Sequence, residues 1–74
     1  MNIPETLVGK VHNFPECSYG AQRVNLVMKN GDVVKDIILA AGKEIVKVSG
    51  RHVTNESQLG FRLEDVIDVE RYIC

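Results

Sequence analysis

The Asn30-Gly31 pair lies between two runs rich in Val, Ile and Leu, and it constrains the fold more than any other feature of the sequence. Asn-Gly is the strongest short signal for a two-residue β-hairpin, because both central residues of a type I′ turn need positive φ. The pair therefore predicts two antiparallel strands. In the register that this turn sets, Val24 lies opposite Ile37 and Met28 lies opposite Val33.

A second turn signal follows at Gly42-Lys43, which fits a type II′ turn because Gly occupies its first central position. This turn predicts that Ile37 lies opposite Val48 and that Leu39 lies opposite Val46. Directly opposite residues share one face of a sheet. Both turns therefore place apolar side chains on the same face, which indicates three consecutive antiparallel strands over one core.

The predicted apolar face and the opposite face differ in character. The apolar face has six members on the first two of these strands, namely Val24, Leu26, Met28, Val33, Ile37 and Leu39. The opposite face is mixed and includes a small apolar patch of Val27, Val34 and Ile38. A terminal segment could cover that patch, or a binding partner could.

The remaining segments complete a predicted order of five strands. Residues 6–12 indicate a first strand with a bend at Gly9. Residues 13–20 indicate a loop rich in turn residues, and residues 49–60 indicate a polar loop, with a short strand at its start as an alternative. Residues 61–74 fit either a helix or a 3₁₀ turn followed by a strand, and the β-branched side chains favour the turn and strand.

The length of 74 residues indicates a single domain, residues 1–74, with a small core. No apolar run is long enough to cross a bilayer, and the first residues do not have the pattern of a signal peptide. We therefore expect a cytoplasmic protein with reduced thiols at Cys17 and Cys74. The net charge of −1 gives no bulk electrostatic reason to bind DNA or anionic membranes.

Residues that could carry chemistry are few and scattered. Structural zinc usually requires closely spaced ligand pairs, whereas Cys17, Cys74, His12 and His52 are far apart in sequence. A nucleophile requires an adjacent base, and no sequence motif places one beside Cys17. The glycines match no phosphate-binding pattern. We therefore expect no catalytic site, no metal site and no cofactor.

The predicted order of strand, long loop, three hairpin-linked strands, 3₁₀ turn and last strand resembles the SH3-like small barrels. The resemblance implies an all-β fold, a five-stranded, strongly bent antiparallel barrel with a 3₁₀ turn before the last strand. In such barrels the long first loop often flanks a ligand groove. Phe14 and Tyr19 lie in that loop.

The segment VNLVMKNGDVV is also similar to the second and third strands of Sm-like proteins, which form rings that bind single-stranded RNA. In that family an Asp and an Asn after the third strand contact the base, whereas this chain has Ala40-Ala41-Gly42-Lys43 there. A second RNA-binding loop has Arg-Gly, whereas this chain has Gly50-Arg51. The helix that opens such proteins is not expected here, because Pro4 and Gly9 oppose it.

These observations predict a non-catalytic protein-interaction or assembly module. Its predicted binding surface consists of the aromatic loop residues and the apolar patch, that is, Phe14, Tyr19, Val27, Val34 and Ile38. The expected partner is a protein, and homo-oligomers through edge strands are a further option. The alternative is an Sm-like single-stranded RNA-binding protein, with phosphate contacts from Arg23, Lys43, Lys47, Arg51 and His52.

Overall fold

The computed structural model describes residues 1–15 and 21–72. It contains one α-helix and five β-strands, namely α1 (Glu5–His12), β1 (Ala21–Met28), β2 (Val33–Ala40), β3 (Glu44–Val48), β4 (Arg51–His52) and β5 (Val66–Arg71). The strands form one antiparallel sheet in the order β4-β3-β2-β1-β5. The sheet has five antiparallel strands, as predicted, but they are not the five predicted segments, because residues 6–12 are helical and β4 lies in the predicted polar loop. The all-β prediction is wrong in one element, the helix, and the described strands do not close into a barrel.

The first hairpin keeps the predicted register far from its turn and departs from it near the turn. Val24 pairs with Ile37 as predicted, but Val33 pairs with Val27. The loop has three residues, 29–31, because the amide of Met28 donates to Asp32 O at 2.8 Å. Of the predicted turn pair only Gly31 has positive φ, at 94°. This is the pattern of a type I turn closed by a left-handed glycine.

A β-bulge in β2 restores the predicted register. Between the pairs Val24–Ile37 and Leu26–Val34, two residues of β2 face only Asn25 of β1. The extra residue reverses the alternation of side chains on the turn side of the bulge. Val34 therefore points toward the core, and Val33 is 41% exposed. The predicted place of Val33 on the apolar face is wrong, and so is the shared patch of Val27, Val34 and Ile38.

The second hairpin repeats this arrangement. Ile37 pairs with Val48 as predicted, but Leu39 pairs with Ile45 and not with Val46. Val46 is the extra residue of a bulge in β3. The turn has positive φ at Ala41 and Gly42, 55° and 74°, so it begins one residue earlier than predicted.

Residues 6–12, predicted as a strand, lie within α1. Leu7 and Val11 are spaced by one helical turn and are both buried, so this face packs on the sheet. Gly9 has no atom near its missing side chain and marks no bend. The carbonyls of Val11 and Phe14 accept hydrogen bonds from Gln22 Nε2 at 2.6 and 2.9 Å. This tertiary contact satisfies the end of the helix, and the local sequence does not reveal it.

The core lies between α1 and one face of the sheet. Its fully buried members are mostly branched aliphatic side chains, namely Val11, Val24, Leu26, Ile37, Leu39, Ile45 and Val69. Val69 belongs to β5, which follows a 3₁₀ turn at Leu63–Asp65. The predicted turn and strand in the C-terminal segment are therefore confirmed. β5 pairs with β1 and carries a third bulge at Ile67.

Candidate binding groove

An open groove of about 590 Å³ lies where the β1–β2 turn and the β3–β4 turn approach each other. Ligand pockets in proteins commonly have volumes of ~300–1,000 Å³. The lining residues come from the two turns and from the segment that precedes β5. They are Met28, Lys29, Asn30, Asp32, Val34, Val48, Ser49, Arg51, Leu59, Gly60, Phe61, Arg62 and Asp65.

The floor of the groove is apolar. Met28, Val48 and Leu59 belong to the buried core, and Val34 and Phe61 pack against it while remaining partly exposed. Val34 reaches the groove because the bulge in β2 turns it to this side of the sheet. The floor therefore joins buried core residues to Val34 and Phe61, the two apolar side chains that the described chain leaves partly exposed between its two turns.

The shape of the groove depends on left-handed backbone conformations. Gly60 and Ser49 both line it with positive φ, 77° and 50°. Such a conformation costs an L-residue such as serine about 1–2 kcal/mol. Two hydrogen bonds hold Ser49 in place, from its amide to Asp36 O at 2.8 Å and from its Oγ to Lys35 O at 3.1 Å. The bulge in β2 therefore braces the β3–β4 turn that forms one wall.

The mouth of the groove carries three cations. Lys29 forms an ion pair with Asp65 at 3.1 Å, and Arg62 forms one with Glu64. Arg51 is exposed and forms no ion pair with any residue that the structure describes. The groove thus combines an apolar floor with one cation whose charge has no such partner.

The opposite face of the sheet carries a second cluster, which is already internally satisfied. Arg23 Nε donates to Asp36 Oδ1 at 2.6 Å, and its guanidinium lies 4.2 Å from the centre of the Tyr72 ring. The hydrogen bond from Arg23 holds the pKa of Asp36 below its ordinary value, against a smaller opposing effect of desolvation. The same hydrogen bond raises the pKa of Arg23.

The structure separates the predicted binding residues. Val34 lines the groove, whereas Val27 and Ile38 are half-buried on the opposite face, beside Val33 and Arg23 in the neighbouring strand. Phe14 packs against the core, so it is not a free surface residue. Tyr19 lies outside the described residues. Of the residues that the structure describes, Val34 is therefore separated from Val27 and Ile38, so these three do not form the predicted patch.

The structure brings only some of the predicted phosphate contacts together. Arg51 lines the groove, but β3 separates it from Lys43, which lies in the turn before that strand. Lys47 pairs with His52 across β3 and β4. Arg23 lies two strands from Lys47, with Ile38 between them.

Sequence reasoning missed the contribution of residues 59–62 to the groove. Phe61 and Arg62 lie in a segment that reads as a polar loop joined to a 3₁₀ turn. An aromatic residue directly after Gly60 was the available signal, because a large ring in a loop needs a surface to pack on. The surface itself arises from two turns distant in sequence, so its position required the tertiary fold.

Comparisons with protein-family models, with curated proteins and with solved structures find no match. In the described ranges no helix is long and apolar enough to span a membrane. Among residues 1–15 and 21–72, no cluster of three His, Cys, Asp or Glu side chains is arranged to hold a metal. Cys17 and Cys74 lie outside those ranges.

Proposed function

We propose that this protein is a non-catalytic interaction module that binds an extended segment of a partner protein in the groove. The observation that carries the proposal is the apolar floor, which continues the core to the surface between two turns. An apolar side chain of the partner would cover Val34 and Phe61, which the chain itself leaves partly exposed. Burial of apolar area stabilises such a complex by ~25 cal/mol per Å² before the cost of association.

The lining residues support binding rather than catalysis. The groove has no His and no Cys among the described residues that line it. Its hydroxyl, on Ser49, donates to the backbone carbonyl of Lys35 and not to a basic side chain. A nucleophile without a base is a weak one.

The test is a comparison of Phe61→Ala with Ile67→Ala. Phe61 lines the groove, whereas Ile67 is 58% exposed on β5 and does not line it. Both variants remove apolar side-chain area from a surface position. A partner is first identified by affinity purification and mass spectrometry, and its affinity is then measured with purified components. We expect Phe61→Ala to weaken binding about tenfold or more, and Ile67→Ala to leave it unchanged.

Thermal unfolding of both variants checks that each retains the fold. Equal affinity of the wild type and Phe61→Ala for the purified partner would refute the groove as the site. Loss of affinity in Ile67→Ala alone would place the interface on β5.

The second candidate is an assembly of identical chains that binds single-stranded RNA, as the Sm-like resemblance implies. One observation favours it, namely that α1 precedes five antiparallel strands, since an opening helix is typical of that family. The outer strands of the sheet, β4 and β5, would be the edges that join copies. This candidate also proposes that the five strands bend into an SH3-like barrel, the fold that the Sm-like resemblance implies.

Light scattering and an RNA titration test this candidate. Assembly predicts a mass several times that of one chain, and RNA binding predicts affinity for labelled oligo-U that falls steeply with salt. Arg51→Gln and Lys47→Gln should then weaken RNA binding. A monomer with no affinity for RNA at micromolar protein would exclude the candidate and leave the interaction module.

A further inference from the structure

Arg51 stands directly beside the apolar floor. It pairs with Val48 across the β3–β4 turn, and residues that pair directly share a face of the sheet. Val48 is buried in the floor, and both residues line the groove. The Cα atoms of paired strands lie about 5 Å apart, so the Arg51 guanidinium can reach over a side chain held on the floor.

The other two cations of the groove are each paired with a carboxylate. Lys29 is paired with Asp65, and Arg62 with Glu64. Asp32 accepts a hydrogen bond from Asn30 Nδ2 at 3.1 Å within its own turn. Among the described residues, Arg51 is therefore the groove's cation that has no ion-pair partner and is available to an anionic group.

The chemistry of arginine defines the ligand group. A guanidinium presents planar paired donors that match a carboxylate, and such charge-assisted hydrogen bonds are stronger than neutral ones. In an extended segment, side chains two residues apart point to the same side, about 6–7 Å from each other. A segment that places one apolar side chain over Val48 can therefore bring a second side chain within reach of Arg51, which pairs with Val48.

We propose that the bound segment carries an acidic residue two positions from its apolar residue, and that Arg51 binds its carboxylate. The proposal rests on the proposed function of the groove and names the partner's chemistry there. Arg51 thereby selects among apolar segments, while the floor supplies the contact common to all of them.

The experiment titrates isotope-labelled protein with two capped peptides and follows the backbone amides by NMR. The peptides are acetyl-Gly-Leu-Gly-Glu-Gly-amide and its Gln counterpart, so that the Glu side chain is the peptide's carboxylate. We expect both peptides to shift the amides of Val34, Val48 and Phe61. The Glu peptide should bind about fivefold more tightly, the upper range for a solvent-accessible ion pair.

Arg51→Gln should remove this preference, and Arg71→Gln is the matched control. Arg71 is an exposed arginine on β5 and does not line the groove. The preference should also shrink in high salt. Equal binding of the two peptides, or a preference that survives Arg51→Gln, would overturn the inference while leaving the groove as a binding site. If neither peptide shifts the groove amides, the proposed function itself fails, and the inference fails with it.

Discussion

The turn between β1 and β2 is open to solvent, whereas the turn between β2 and β3 is covered by the end of α1. Both turns contain a glycine with positive φ, Gly31 at 94° and Gly42 at 74°. A side-chain carbon added at Gly31 would meet no atom within 4 Å, but one added at Gly42 would lie 2.7 Å from His12 and 2.9 Å from Gln22. Glycine is therefore favoured at position 31 by its backbone conformation alone, and at position 42 by its backbone conformation together with the close approach of His12 and Gln22.

Gln22 connects the β2–β3 turn to the end of α1. Only 7% of the residue is exposed to solvent. Its Nε2 donates to two carbonyls at the end of α1, while its Oε1 lies against Gly42. The helix, the β2–β3 turn and the start of β1 thus meet at one buried amide. The β1–β2 turn is held by hydrogen bonds within the turn and by Lys29, whose amide donates to Asp65 O at 2.8 Å and whose amine pairs with the Asp65 carboxylate.

The largest expected effect comes from Gln22→Leu, which breaks the covered junction without a large change in volume. Two carbonyls, of Val11 and Phe14, lose the amide donor that reaches them. The Phe14 carbonyl loses this donor at a cost of about 1–3 kcal/mol. The Val11 carbonyl still accepts from the Phe14 amide at 2.9 Å, so there only the net value of one hydrogen bond is lost, about 0.5–1.5 kcal/mol. We therefore expect the free energy of unfolding to fall by about 2–4 kcal/mol.

Urea unfolding measures this loss, and hydrogen exchange locates it. The amides of α1 should lose protection, while those of Leu26 and Ile37 should still open only in global unfolding. A loss below about 1 kcal/mol would mean that water replaces the amide and that the junction is not a buried one.

Gly42→Ala tests the same junction from the turn. The new methyl group must displace His12 and Gln22, and the residue must keep positive φ. We expect a loss of about 2–3 kcal/mol in the free energy of unfolding, measured by urea. In the background of Gln22→Ala the cost of Gly42→Ala should be smaller, because one of the two obstacles has gone. Simple additivity of the two changes would argue against contact.

Gly31→Ala is the matched change in the open turn. Only the left-handed backbone opposes an alanine there, at a cost of about 1 kcal/mol. Chemical denaturation of the two alanine variants side by side gives the comparison directly. If Gly31→Ala were as damaging as Gly42→Ala, backbone conformation alone would explain both turns and the cover over Gly42 would be irrelevant.

Asp36→Asn should have the smallest effect and should be the one that depends on pH. The hydrogen bond from Arg23 lowers the pKa of Asp36 below its unfolded value of 3.8. A lowered pKa in the folded state stabilises the fold above pH 3.8, and this stabilisation is lost as the pH falls through the lowered pKa.

The unfolding free energy of the wild type and of Asp36→Asn should therefore differ near pH 6 and converge in strong acid. Asp68 also has a lowered pKa, which the comparison cancels because both proteins retain it. Gln22 is neutral, so the effect of Gln22→Leu should stay constant over the same range. A difference for Asp36→Asn that does not change with pH would show that the ion pair is not its cause.

The register of the hairpins shows what the sequence could and could not predict. Val24–Ile37 and Ile37–Val48 follow from the apolar pattern, because a slip would turn these side chains to solvent. The pairs next to each turn were predicted wrongly. Each loop begins one residue before its predicted position, and a β-bulge in the following strand restores the predicted pairing farther from the turn. Apolar periodicity contains no sign of either bulge.

The helix and the groove were beyond sequence reasoning for a related reason. Leu7 and Val11 fit a strand interrupted by Gly9 as well as they fit a helix, and the deciding hydrogen bonds come from Gln22. The groove depends on Phe61 and Arg51, which are ten residues apart and meet only through folded turns. The sequence predicts Val34 as part of a protein-binding patch and Arg51 as an RNA phosphate contact, so it does not predict that both line one groove.

The β-bulges in β2 and β3 affect which deletions this sequence can tolerate during evolution. A bulged strand contains one extra residue. If the neighbouring loop loses a residue, loss of the bulge can compensate, and the side chains far from the turn keep their faces of the sheet. Related chains that are one residue shorter at 29–31 or 41–43 would then keep Val24, Ile37 and Val48 in contact, and their alignments would show gaps at places where the packed interior is unchanged.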